Sequence, residues 1–163
     1  MKRRPAAEFS FVFAVLTSLS VAHAQAPPHQ RPGLWLNDMS QAGRHFSMKA
    51  CVDAASEART SVFSASVRKG NKCRNSQLTH NLDGSWTSVS TCEFQPGVTR
   101  TSRADIRGDF NSKYTVTLRS PPTAPPEMTM TATYLGACGP GQKGGDIVMS
   151  DGRVINPMAS MGR

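Results

Sequence analysis

Arg103-Ala104-Asp105-Ile106-Arg107-Gly108-Asp109-Phe110-Asn111-Ser112-Lys113-Tyr114-Thr115-Val116-Thr117-Leu118-Arg119 is the stretch that decides the fold. Ala104, Ile106, Gly108 and Phe110 alternate with Arg103, Asp105, Arg107 and Asp109. Tyr114, Val116 and Leu118 then alternate with Thr115, Thr117 and Arg119. A period of two puts successive side chains on opposite faces of a pleated strand, so both runs read as half-buried strands. If both apolar sets face one core, Phe110 pairs with Tyr114 across a loop of Asn111, Ser112 and Lys113, a common hairpin length. The charged set reads as a solvated, ion-paired face rather than an acid/base pair, and such surface pairs contribute little to stability.

Working outward, the same rhythm recurs. Upstream, Asp83-Gly84 is a strong two-residue turn signal between Ser- and Thr-rich strands. That turn would set Leu82 opposite Ser85, Leu78 opposite Val89 and Arg74 opposite Glu93, an opposite-charge pair that supports the register. Downstream, Pro121 to Pro126 cannot lie in a paired central strand, because proline donates no ladder hydrogen bond. It leads to an alternating strand from Met128 to Leu135, and Asp151-Gly152 marks a small last hairpin within Asp146 to Ile155. The final residues read as frayed. Near the start, Pro32 to Leu36 reads as a short strand and His45 to Val52 as a second. Asp53 can cap a helix carrying Ala54, Ala55, Ala58, Val62 and Ala65 on one face, ended by Lys69, Gly70 and Asn71. The expected fold is mainly β: an antiparallel meander forming a small barrel or half-barrel, with one short helix between the second and third strands.

The N-terminus reads as a secretory signal, residues 1–24. Lys2, Arg3 and Arg4 precede an apolar run from Phe9 to Ala22, and Ala22-His23-Ala24 supplies the small-x-small cleavage pattern. The run is too short for a transmembrane helix, which needs roughly 20 apolar residues. Residues 25–31 form a proline-bearing leader, 32–138 the β domain, and 139–163 a Gly-rich connection with the small terminal hairpin. No later segment is apolar enough to span a membrane, and the expected location is the periplasm. The formal net charge of +8 falls to about +6 without the signal. Such an excess favours anionic surfaces, while export argues against nucleic acid as a partner.

Cys51, Cys73, Cys92 and Cys138 make an even set in an exported chain, the mark of two disulfides. No C-x-x-C pair is present, and the spacing is too wide for zinc. In the register of the Asp83-Gly84 turn, Cys73 and Cys92 are diagonal neighbours roughly 7–8 Å apart, beyond the Cβ separation of about 4 Å that a disulfide requires. The expected connectivity is therefore Cys51–Cys73, pinning the helical insertion, and Cys92–Cys138.

Catalytic motifs are missing from the sequence. There is no G-x-S-x-G elbow, H-E-x-x-H helix or phosphate-cradling loop, and Gly139 to Gly145 lacks the Lys-Ser/Thr of a P-loop. His29, His45 and His80 are the histidines after the signal. Met128 and Met130 are soft thioethers of a kind that suits Cu(I), but with Ala132 and Tyr134 they also form a plain core stripe, so no metal or cofactor is expected. Trp35, Trp86, Met128, Met130 and Tyr134 form the candidate binding set, as core or as the lining of a pocket for an apolar molecule.

The order of these landmarks resembles a known family. Pro32-Gly33-Leu34-Trp35 is followed by Cys51 and Cys73 around a helix. Cys92 ends a Ser/Thr-rich strand, and Gly108-Asp109-Phe110 leads to Tyr114. Met128-Thr129-Met130-Thr131 precedes Leu135-Gly136-Ala137-Cys138. Together they resemble the exported bacterial family known as domain of unknown function 3617, from about Pro32 to Cys138. Leu36 departs from the polar residue usual after the first Trp, and the tail after Pro140 reads as an addition. The resemblance implies an envelope β domain with four cysteines and carries no catalytic residues. The leading functional expectation is a non-catalytic binding module for a lipid or an apolar or amphipathic small molecule. The alternative is a structural or interaction protein that meets an envelope protein or anionic surface through its basic strand face.

Overall fold

The computed structural model describes residues 26–63 and 72–161. The expected signal peptide, and the helical continuation through Ala65 to Asn71, lie outside the described residues. The fold is mainly β, one antiparallel sheet in the order β3-β4-β5-β6-β7-β1-β2-β8-β9. Its strands are β1 (Gly33–Gln41), β2 (Arg44–Val52), β3 (Lys72–His80), β4 (Trp86–Gln95), β5 (Val98–Asp109), β6 (Lys113–Arg119), β7 (Met128–Gly136), β8 (Ile147–Met149) and β9 (Val154–Ile155). The meander from β3 to β7 is the expected one. The sheet stays open, with β3 and β9 at its two edges, so the closed barrel does not form.

The first hairpin is longer than expected. β1 runs to Gln41 because the polar segment Asn37–Ser40 is held on both sides, by β2 and by β7. The expected helix is present as α1 (Ala54–Thr60) between β2 and β3. Asp53 caps it by accepting from the Ser56 amide at 2.7 Å, and the Ser56 hydroxyl accepts from the Asp53 amide at 2.9 Å. The helix stops at Thr60, so Val62 lies beyond it. The expected hairpin at Asp151-Gly152 forms as β8 and β9, and β8 pairs with β2. A short helix, α2 (Pro157–Met161), follows β9, and the two residues after it lie outside the described residues.

Two registers differ from expectation, each through local turn chemistry. In the β3–β4 hairpin the turn is a loop from Asn81 to Ser85, with His80 opposite Trp86. The Asn81 amide donates to the Ser85 carbonyl at 2.8 Å, and the Asp83 carboxylate accepts from the Ser85 amide and hydroxyl. The local hydrogen bonds of Asp83 therefore define a wider loop than a two-residue turn. This moves the pairing by one position, and a bulge between Asn75 and Gln77 moves it by one more. Cys73 thus comes directly opposite Cys92, with Cα atoms 4.0 Å apart, and the two are bonded. The partner bond is Cys51–Cys138. The expected connectivity Cys51–Cys73 and Cys92–Cys138 is corrected accordingly.

In the β5–β6 hairpin Asp109, not Phe110, ends the ladder opposite Lys113. The Asp109 carboxylate accepts from the Asn111 amide and the Ser112 hydroxyl, closing the turn one residue early. Phe110 leaves the ladder and stacks on Tyr114 instead, with centroids 4.4 Å apart. The faces were legible even though the register was not: Ile106 pairs with Val116 and Gly108 with Tyr114. Gly108 is required there, because at its φ of +118° a Cβ would meet the Lys113 carbonyl oxygen at 2.5 Å.

The core lies against one end of the sheet's inner face. Trp35, Val52, Trp86, Ile106, Tyr114, Val116 and Ala132 come from the strands, and Phe63, just after α1, packs over them. Phe63 sits edge-on to Trp86 at 5.6 Å and tilted on Phe110 at 5.3 Å. Trp35 lies between Tyr114 and Tyr134, and its indole N–H donates to the Arg31 carbonyl at 2.8 Å. Aromatic pairs of this kind add about 0.5–1.5 kcal/mol each beyond the area they bury.

Candidate functional site

The outward faces of β4, β5 and β6 build a polar groove. Cross-strand pairing sets Thr87 beside Asp105 and Asp105 beside Thr117, with Arg103 opposite Arg119 and Arg107 opposite Thr115. The Asn81–Ser85 loop walls one end, and the depression has a volume of about 660 Å³. Leu82 stands fully exposed at its rim. Alternation along β5 forces this arrangement, since Ile106 and Ala104 take the core side and leave Arg103, Asp105 and Arg107 on the other.

Asp105 organises the floor. It accepts from Arg103 Nε at 2.8 Å and from the Thr87 hydroxyl at 3.2 Å, and Arg119 Nη1 closes on its other oxygen. Burial pushes the Asp105 carboxyl up, but the hydrogen bond and charge of Arg103, with Thr87 and Arg119 after them, outweigh it and hold the group below the ordinary carboxylate range. Arg107 reaches Asp83 at 2.9 Å. Asp83 is also held low, chiefly by its hydrogen bonds from Ser85 and then by Arg107. Three guanidinium groups therefore face two ionised carboxylates, leaving a net positive groove rimmed by hydroxyls. The guanidinium side chains remain partly open to solvent, from 29% for Arg119 to 66% for Arg107, so their unused N–H groups can meet an incoming anion.

The inner face beyond the core is apolar. One cross-strand row runs Trp86–Ile106–Val116–Met130–Met39–Phe46 from β4 to β2. A second carries Leu78, Ser88, Ala104, Leu118 and Met128. Met128, Met130 and Leu118 are half-buried, and Phe46 is 43% exposed.

The sequence-derived binding set divides across this face. Trp35 and Trp86 are core residues, closed in by aromatic neighbours. Tyr134 is half-buried, with the Arg31 guanidinium 4.3 Å over its ring. Met128 and Met130 lie farther along, on the part of the face that is only half-buried. All five share one face, but none lines the polar groove or the smaller one of about 410 Å³ between β1, β2 and β7. Thr87, Asp105, Thr115, Thr117 and Arg119 were not singled out as site residues. Their signal was the unbroken alternation of Arg, Asp and Thr on one side of both strands.

The histidines are dispersed. His29 Nδ1 lies 3.1 Å from the buried Glu57 carboxylate, His45 is exposed on β2, and His80 packs on Trp86. Among the described residues no three His, Cys, Asp or Glu side chains gather in a metal-binding cluster.

Residues 30–138 match the family described as Protein of unknown function (DUF3617). The chain belongs to this family. No curated protein and no solved structure matches it. The DUF3617 match ends at Cys138, the residue that ties the end of β7 back to β2 across β1. Both the polar groove and the methionine-bearing face lie within it, whereas β8, β9 and α2 lie beyond. Among the described residues no helix is long and apolar enough to cross a membrane.

Proposed function

We propose that this DUF3617 protein is an exported, non-catalytic binding module of the cell envelope, and that its groove over β4, β5 and β6 receives an anionic group of an envelope partner. The observation that supports the groove is Asp105 drawing Arg103 and Arg119 together beside Arg107 and a rim of threonines. A carboxylate or phosphate entering there gains charge-assisted hydrogen bonds from side chains already held in place, so little ordering cost remains. Export is supported by the signal-like N-terminus and by the two disulfides. A photo-crosslinker at Thr117 in cells making the protein tests the site. Salt-sensitive crosslinks that disappear in the Arg103→Gln/Arg107→Gln variant are expected; an unchanged crosslink pattern refutes the groove. N-terminal sequencing of the same material should begin at Gln25, and an intact Met1 would refute export by this signal.

A second reading concerns the inner face, where half-buried Met128, Met130 and Leu118 adjoin exposed Phe46. That surface suits a lipid or an apolar or amphipathic small molecule, because methionine adapts its shape to irregular partners. Native mass spectrometry of protein taken from its own compartment, repeated after denaturation, tests it. A mass lost on denaturation supports a bound molecule. A bare protein, under conditions that preserve known complexes, removes this reading.

A further inference from the structure

The inner face concentrates thioethers. Met39 on β1 stands directly opposite Met130 on β7, and Met128 is the diagonal neighbour of Met39 in the same pairing, two residues along β7 from Met130. Met48 is diagonal to Met39 on the other side, through the Met39–Phe46 pair, and it faces Met149 on β8. Thus the strands on either side of β1 bring three methionines around Met39, near the middle of the sheet. Directly opposite Cβ atoms lie about 4.5–5.5 Å apart and diagonal ones about 7–8 Å. A methionine side chain has three rotatable bonds with which to close such gaps. Met39 is 8% exposed, whereas Met128 and Met130 are half-buried, so the centre is sheltered and the rim is open.

We propose that Met39, Met128 and Met130 form a three-thioether site for a soft monovalent cation, Cu(I). Alternation supplies the selectivity. Asp38 and His45 take outward positions on β1 and β2 by alternation, and the small groove they line is bordered by Met39 and Phe46 as well. Three neutral thioethers disfavour calcium, magnesium and zinc, and they suit Cu(I). The flanking residues are neutral as well, with Gln41 opposite Met128 and Phe46 opposite Met39. Exposed Arg44, opposite Gln41, is the cationic residue nearest the cluster by register. Only association is proposed, with no change in the metal's oxidation state. The site is independent of the polar groove and shares its face with the second reading above.

The test is an anaerobic titration of the folded, oxidised protein with Cu(I), supplied as its acetonitrile complex and competed with bicinchoninate. The protein should take up one Cu(I) and shift the methyl resonances of three methionines in ¹³C-methyl-labelled material. Met39→Leu/Met128→Leu/Met130→Leu removes the sulfurs while nearly conserving volume. Its Cu(I) affinity should fall at least 100-fold while Met158→Leu, in α2, leaves it unchanged. Should the triple variant fail to fold, Met128→Leu alone, at a half-buried position, is expected to lose at least tenfold. Failure of the wild type to compete with bicinchoninate overturns the proposal, and so does equal uptake by the folded triple variant. A bound apolar molecule would survive the leucine substitutions, so the two uses of this face are distinguishable.

Discussion

Removing the two disulfides one at a time should cost unequal amounts, and the order follows from where each lies in the chain. Cys51–Cys138 closes a separation of 87 residues and Cys73–Cys92 one of 19. In the chain-entropy picture these closures are worth about 4.6 and about 3.2 kcal/mol at 25 °C. Native packing acts in the same direction. Cys51 is 4% exposed, whereas Cys73 and Cys92 are only half-buried, so truncation at Cys51 also leaves the larger unfilled space. The variants are Cys51→Ala/Cys138→Ala and Cys73→Ala/Cys92→Ala, each unfolded in urea at pH 7. The first should be the less stable by about 1.4 kcal/mol or more. Non-reducing peptide mapping of the parent protein supplies the second readout, and it should join Cys51 to Cys138. A reversed stability order, or peptides joining Cys51 to Cys73, would refute the reasoning.

Two further outcomes bear on the hairpin and the core. Gly108→Ala should destabilise the protein by about 1–3 kcal/mol, the usual range for a strained backbone position, because the new Cβ would lie 2.8 Å from the Tyr114 Cα. Gly84→Ala, where nothing lies within 4 Å, should cost less, and equal shifts in the urea midpoint would contradict this account. Burial, and then the charge of Glu57, raises the Tyr114 phenol to about 12. A folded pKa above the unfolded value makes stability full below pH 10 and draws it down as pH rises from 10 toward 12. Ultraviolet difference titration should therefore show the Tyr114 phenol ionising near 12 or together with unfolding, and ionisation near 10 in the folded protein would contradict its burial.

Strand existence was legible because period-two alternation is a property of the residues alone. Ala104, Ile106 and Gly108 take the same face as Tyr114, Val116 and Leu118, as their spacing requires. Register was less legible because turn carboxylates decide it. Asp83 and Asp109 each accept hydrogen bonds from residues two or three positions on, and each fixes a loop that differs from the simplest reading. The disulfide error descends directly from one of these. A single bulge and one widened loop convert Cys73 and Cys92 from diagonal to opposite. The site was half-legible. Tryptophan and methionine marked the inner face, but which part of it would be closed depended on Phe63 and on the end point of α1. The groove was harder to see, since its residues come from three strands and one loop and none is unusual alone.

The position of β1 gives the fold its tension and its fastening. The first hairpin does not sit at an edge. β1 lies between β2 and β7, so the centre of the sheet pairs the first strand with one from the end of the meander. Pairings this distant in sequence carry the largest loop-closure cost and reward the chain last. Cys51, at the end of β2, and Cys138, just after β7, bridge the two strands that flank β1, so their bond secures a contact between segments far apart in sequence. Beyond it the Gly145 amide donates to the Cys51 carbonyl and the Cys51 amide to the Asp146 carbonyl, and the returning chain adds β8 to β2. The residues after the family match therefore extend the sheet from the fastened end, while the polar groove and the methionine cluster lie on strands whose order is already fixed.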